Sequence, residues 1–135
     1  MKELKIDATV QNLDAVLAFL DEELEGMECP MKAQTQLDIA VEELFVNIAH
    51  YAYQPGTGYA IIQISELDAP KRVKVTFIDE GIPYDPLKKE DPDITLSAEE
   101  RQIGGLGIYM VKKSMDAVTY EYKDNKNVLT IEKNI

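Results

Sequence analysis

Residues 31–53 read MKAQTQLDIAVEELFVNIAHYAY, and within them Ala33, Leu37, Ala40, Val41, Leu44, Ile48 and Ala52 recur at the spacing of one helical face. The stripe predicts the strongest helix of the chain, ended by Pro55-Gly56-Thr57-Gly58. A helix that is apolar along one side only must lay that side on something, and the flanking segments supply it. Upstream, Leu4, Ile6, Ala8 and Val10 alternate with polar residues, which predicts a strand over 3–10. Asn12 is placed to cap a second helix, with Leu13, Val16, Leu17, Leu20 and Leu24 as its apolar stripe and Gly26 as its stop. Downstream, residues 59–65 and 71–78 read as two strands joined by a short link over 66–70, with Val73, Val75 and Phe77 on one face.

After Ile78 the pattern breaks. Asp79-Glu80-Gly81 opens a long polar stretch over 82–103 that contains Pro83, Pro86 and Pro92. A connection of that length inside a small domain is usually functional or disordered. Gly104-Gly105-Leu106-Gly107 then leads into a short helix over 108–115, and the chain closes with a hairpin, 117–123 and 128–133, turned at residues 124–127. The order β-α-α-β-β-loop-α-β-β predicts an α+β fold, a two-layer α/β sandwich in which a mixed, mostly antiparallel sheet is covered on one face by helices. A doubly wound fold would need strict alternation of strands and helices.

At 135 residues the chain fits one domain, 1–135. Its 14 Lys and Arg stand against 25 Asp and Glu, a net charge of −11, so a nucleic-acid backbone or an anionic membrane would be approached against repulsion. Neither is expected as a partner. The single cysteine, Cys29, has no second thiol for a disulfide or a zinc site. No apolar segment follows the N-terminal Met1-Lys2-Glu3, and no apolar run approaches ~18 residues, so a soluble, cytoplasmic protein is the expectation.

Three groups of residues have chemical potential. Glu43 and Asn47 stand four apart on the long helix, so a carboxylate and an amide project from neighbouring turns, with β-carbons ~5–6 Å apart. With Ile39 and His50 they form a stripe along the edge of the apolar face. Asp79-Glu80-Gly81 follows a strand with buried residues, which puts an acid at the exposed end of a sheet, beside a glycine that permits close backbone approach. Gly104-Gly105-Leu106-Gly107 precedes a helix whose first amides suit an anion, without the Gly-Lys-Ser/Thr ending of a Walker A loop or the Gly-x-Gly-x-x-Gly spacing. Each also has a plain reading: a solvated surface pair, an ordinary turn, a glycine hinge.

In order, however, these groups resemble the GHKL or Bergerat ATP-binding fold of gyrases, histidine kinases and mismatch-repair ATPases. The short form with Glu43-x-x-x-Asn47, Tyr51-Ala52-Tyr53, the Asp79-Glu80-Gly81 box, Gly104-Gly105-Leu106-Gly107 and Met115-Asp116 is similar to the bacterial anti-sigma-factor serine/threonine kinases, over nearly the whole chain. The resemblance implies ATP and Mg²⁺ as cofactors, with Glu43 as general base and Asn47 holding the metal. It implies that Asp79 accepts a hydrogen bond from the adenine amino group and that Gly81 lets the base approach. Gly105 and Gly107 would give amides to the phosphates, with Gly104 and Leu106 in the same cradle and residues 82–103 as a lid. Implied partners are a sigma factor and an anti-sigma-factor antagonist, the phosphoryl acceptor, and the family's habit of dimerising suggests a homodimer.

The chain departs from the family pattern at three places. His50 stands one residue before the usual histidine position, now Tyr51, and where histidine kinases carry a phosphate-contacting lysine, which makes it a candidate phosphate neighbour. Ile103 replaces the arginine before the glycines, leaving Arg101 as the nearest substitute. Asn127-Val128 stands where relatives show Gly-Thr. These departures keep a second function open, a nucleotide-sensing binding module without kinase activity. A third, an acidic interaction domain that binds no nucleotide, is separated from both by a nucleotide-binding measurement.

Overall fold

The computed structural model describes residues 1–53, 56–88 and 105–135, with backbone only at Gly105 and Leu106. The elements run β1 (Lys2–Asp7), α1 (Leu13–Gly26), α2 (Met31–Tyr51), β2 (Tyr59–Leu67), β3 (Arg72–Asp79), α3 (Gly105–Ser114), β4 (Ala117–Lys123) and β5 (Lys126–Asn134), with single 3-10 turns at Val10–Asn12 and Pro86–Lys88. The strands form one sheet in the order β1-β2-β3-β5-β4.

Register explains why one side of that sheet is apolar. Leu4, Ile62, Phe77, Leu129 and Tyr120 stand opposite one another across all five strands, and so do Ile64, Val75, Ile131 and Val118 across four of them. These rows meet the helices, whose buried residues include Val16, Leu20 and Leu24 from α1, Leu37, Val41, Leu44 and Phe45 from α2, and Ile108 and Val111 from α3. α2 is the middle helix, packed against α1 on one side and α3 on the other. Phe45 and Phe77 are the largest fully buried side chains, one from each layer.

The expected two-layer α+β sandwich is present, and all four strand pairings are antiparallel rather than mixed. β4 does run in the direction of β3, but its hairpin return β5 inserts between them, so no parallel ladder forms. β1 stops at Asp7, where the Thr9 amide turns back to the Asp7 carbonyl at 2.9 Å while the Ala8 amide donates to the Gly58 carbonyl. Asn12 makes no side-chain cap for α1; its Nδ2 donates instead to the Asp7 carbonyl at 2.9 Å.

Two further boundaries decide where polar residues stand in the fold. α3 begins at Gly105, so Gly105 and Gly107 belong to its first turn rather than to a loop before it. The final hairpin turns on two residues, Asp124 and Asn125, both in the left-handed region at φ 54° and 61°. That is the geometry in which a two-residue hairpin matches strand twist. Asn127, read as turn from the sequence, therefore lies in β5 opposite Asp79 and Tyr122.

Candidate functional site

An open cleft of about 450 Å³, part of it open solvent, lies at the C-terminal end of α2 where β3 ends and β5 begins. α2 contributes Leu44, Asn47, Ile48 and Tyr51; the sheet contributes Phe77, Asp79, Tyr120, Asn127 and Leu129; and the segment after β3 contributes Ile82, Tyr84 and Pro86. The lining is mostly apolar, with a few polar groups at its sheet end. Such a surface accepts a flat, largely apolar ring that carries hydrogen-bonding edges.

Asp79 is one of those groups. Only 5% of it is exposed, and its Oδ1 accepts from the Gly81 amide and from Asn127 Nδ2, both at 2.9 Å. Burial pushes its carboxyl up from the usual range, while these two donors hold it down. Oδ2 has no hydrogen-bond partner among the described residues. Asn127, 6% exposed, donates through Nδ2 to the Ile82 carbonyl as well, at 2.8 Å. Its Oδ1 accepts from the Tyr84 amide at 3.1 Å and from the Tyr120 hydroxyl.

The segment after β3 is fastened to the end of α2. The Tyr53 hydroxyl donates to the Tyr59 carbonyl at 2.6 Å and accepts from the Glu80 amide at 2.8 Å, and the Ile82 amide donates to the Ala52 carbonyl at 2.9 Å. Gly81 is required by this packing, because a Cβ there would collide with the Ala52 carbonyl. The close approach that Gly81 permits is thus, within the chain itself, that of the α2 backbone.

A second close approach joins two of the other expected residues. A Cβ on Gly107 would fall on the Glu43 carboxylate, so the middle of α2 touches the first turn of α3 there. Asn47, one turn beyond Glu43, lines the cleft. Asn47 and Asp79 thus line the cleft, Gly81 follows Asp79 against the end of α2, and the Glu43–Gly107 contact lies outside the lining, one turn of α2 before Asn47. His50 is exposed and outside the lining, set edge-on to Tyr51 at 6.0 Å between ring centroids. Tyr51 in turn faces Tyr84 at 6.2 Å, giving the opening two aromatic rings. The backbone of Gly105 and Leu106 lies in α3 beside Gly107, whereas Gly104, Arg101, Ile103 and the 89–103 part of the expected lid lie outside the described residues.

Residues 6–133 match the family described as histidine kinase-like ATPase domain. The chain belongs to the histidine kinase-like ATPase family. It is 30% identical over 95 residues to the serine/threonine-protein kinase BtrW of Bordetella bronchiseptica, a match covering 70% of this chain and 66% of that protein. Its fold is similar to a solved structure of the RsbU and RsbW domains of a Mycobacterium tuberculosis protein, with a TM-score of 0.67 at 16% identity, covering 99% of this chain and 32% of that one. An ATPase domain implies ATP binding, and the residues of the cleft suit the nucleotide. The apolar walls and Asp79 fit a purine, and the amides of the first turn of α3, which a helix leaves without an intrahelical partner, fit phosphate. Asn47 offers one neutral oxygen, which suits a Mg²⁺ that takes its remaining ligands from phosphate and water.

Sequence reading singled out Asn127 only as a departure from the family's Gly-Thr and placed it in a turn, and it missed Tyr84, Tyr120 and the fastening role of Tyr53. The signal for Asn127 was in the period-two pattern, since Asn127, Leu129 and Ile131 share one face of β5. The adjoining Asp124-Asn125 pair, suited to φ above zero, sets the register. Among the described residues no helix is long and apolar enough to cross a membrane.

Proposed function

We propose that this chain, acting as a single ATP-binding domain over 1–135, is an ATP- and Mg²⁺-dependent protein serine/threonine kinase. Its phosphoryl acceptor is an anti-sigma-factor-antagonist type protein, and it regulates transcription by binding a sigma factor. The observation that carries the reading is the contact of the Glu43 carboxylate with Gly107, one turn of α2 before Asn47, which with Asp79 lines the cleft. Support comes also from the 30% identity to a protein named as a serine/threonine kinase.

Asp79 accepts the hydrogen bond of the adenine amino group, which sets the nucleotide's position along the cleft. The first-turn amides of α3, Gly105 and Gly107 among them, donate to the phosphates, with Leu106 and Gly104 in the same cradle; His50 is the candidate neighbour on the α2 side. Glu43 takes the proton of the acceptor serine as its oxygen bonds to the terminal phosphorus and the bond to the bridging oxygen breaks, releasing ADP. Mg²⁺ held through Asn47 supplies neutralisation of the charge on the phosphate oxygens. The chain's own work is positioning, and residues 82–103 exclude water from the transfer as a lid.

The test is Glu43→Ala. Retained nucleotide binding with transfer reduced by ~10²–10⁴ supports the base role, and undiminished transfer removes Glu43 from the mechanism. Ile103 in the place of the family's arginine favours a second reading, a nucleotide-sensing module whose lid gates a partner. Incubation with radiolabelled ATP and candidate antagonist proteins separates the two, because only the kinase labels a serine.

A further inference from the structure

We propose that Asn127 is the positioning residue that makes the cleft select a 6-aminopurine over a 6-oxopurine nucleotide. The inference rests on the reading of Asp79 as the acceptor for the base's exocyclic amine.

The side-chain amide of Asn127 is spent entirely inside the protein. Both Nδ2 hydrogens have acceptors, Asp79 Oδ1 at 2.9 Å and the Ile82 carbonyl at 2.8 Å. Both lone-pair directions of Oδ1 are taken by the Tyr84 amide and the Tyr120 hydroxyl. With donors on one side and acceptors on the other, only one orientation of the amide satisfies all four. Asn127 therefore has nothing left with which to read a base, although it lines the cleft.

What it does instead is define Asp79. Its N–H, with that of Gly81, occupies Oδ1 and favours the charged carboxylate against a burial that favours the neutral acid. The two N–H donors on Oδ1 thereby favour the form of Asp79 that accepts, and Oδ2, without a partner among the described residues, is the oxygen for the ligand. Such a group receives the amine of adenine and repels the carbonyl oxygen that hypoxanthine carries at the same place. Asn127 also ties Ile82 and Tyr84, where the chain leaves β3, to the β5 strand. Register sets this up, because Asn127 stands directly across from Asp79.

The experiment is calorimetric titration of the full chain with ATP and with ITP, each with Mg²⁺. The wild type is expected to prefer ATP by on the order of 10² or more, as a site with a buried polar reader discriminates strongly. In Asn127→Ala, Asp79 loses a donor, takes up a proton more readily and can donate to a 6-oxo group. The ATP-to-ITP ratio is expected to fall at least tenfold. In Asn127→Asp, of the same size, two facing carboxyl groups share a proton and the ratio falls by a similar factor. Tyr120→Phe removes one hydroxyl and is expected to narrow the ratio twofold to threefold, which keeps the test open if neither Asn127 variant folds.

A merely structural Asn127 would weaken both nucleotides equally and leave the ratio unchanged, and that result overturns the inference. Equal wild-type affinity for ATP and ITP overturns it as well. Failure of the wild type to bind either nucleotide overturns the kinase reading itself, so the two failures are distinguishable.

Discussion

Gly107→Ala separates catalysis from stability in a direction that ordinary intuition reverses. The added Cβ falls on the carboxyl carbon and both oxygens of Glu43, so something must move. What moves is the far end of a flexible side chain, which swings aside without disturbing the backbone. The fold loses little, and alanine in place of glycine within α3 contributes up to about 1 kcal/mol of helix stability. The carboxylate, however, is displaced by about an ångström or more from the place a base must hold. A misplacement of about 1 Å costs about 10² in rate, or ~2.7 kcal/mol of barrier. The expected result is a urea midpoint equal to or above wild type, ATP affinity within about threefold, and phosphoryl transfer down about 10². Transfer within threefold of wild type, in a folded variant that binds ATP, would refute the assignment of Glu43. Gly81→Ala supplies the contrast, because its Cβ meets the Ala52 backbone carbonyl, which cannot swing away without losing its 2.9 Å bond from the Ile82 amide. There the expected cost is about 1–3 kcal/mol of stability, read from the same urea titration.

Other contacts carry three more expected outcomes. Tyr53→Phe removes both the donor to the Tyr59 carbonyl and the acceptor for the Glu80 amide, for an expected loss of about 1–3 kcal/mol by chemical denaturation. Between α1 and α2, Asp38 faces Asp21, with Gln34, Cys29 and Lys71 nearby; its Oδ1 is buried and unpartnered among the described residues, and burial with the Asp21 carboxylate pushes its carboxyl up to about 7. A raised acid binds its proton more tightly folded than unfolded, so its contribution to stability is full below the unfolded value of about 4 and declines as pH rises through about 7. Urea midpoints at pH 5 and pH 8 check this: Asp38→Asn is expected to flatten the decline, and a wild-type-like slope in the variant removes Asp38 as its source. Mg-ATP at about 100 times its dissociation constant is expected to stabilise the fold by ~2.7 kcal/mol, seen as an upward shift in Tm, and no shift would argue against an occupied cleft.

Much of the fold was legible in the sequence. The apolar stripes of α1 and α2 and the alternation in β2 and β3 were read directly, because helix and strand periodicity is a local property. Local reading failed where the decision was not local. The start of α3 fell three residues earlier than its apolar pattern implied, since two glycines weaken any helix signal while contact with Glu43 admits them. Asn127 was assigned to a turn because Asp124-Asn125-Lys126-Asn127 is polar throughout, and it is pairing of Lys126 and Asn127 with β4, and of Asn127 with β3, that draws these last two residues into the sheet.

By itself the sequence determined the order of elements, the faces they bury and the residue types available for nucleotide chemistry. Those follow from the side-chain pattern along a few successive turns or pleats. Only the tertiary structure decided which of those residues meet: Glu43 with Gly107, Gly81 with the Ala52 carbonyl, and Asp79 with Asn127, 48 positions apart. Each meeting depends on register and helix packing set by the whole sheet at once. A one-residue slip in β5 would turn Asn127 out of the cleft without altering any local preference.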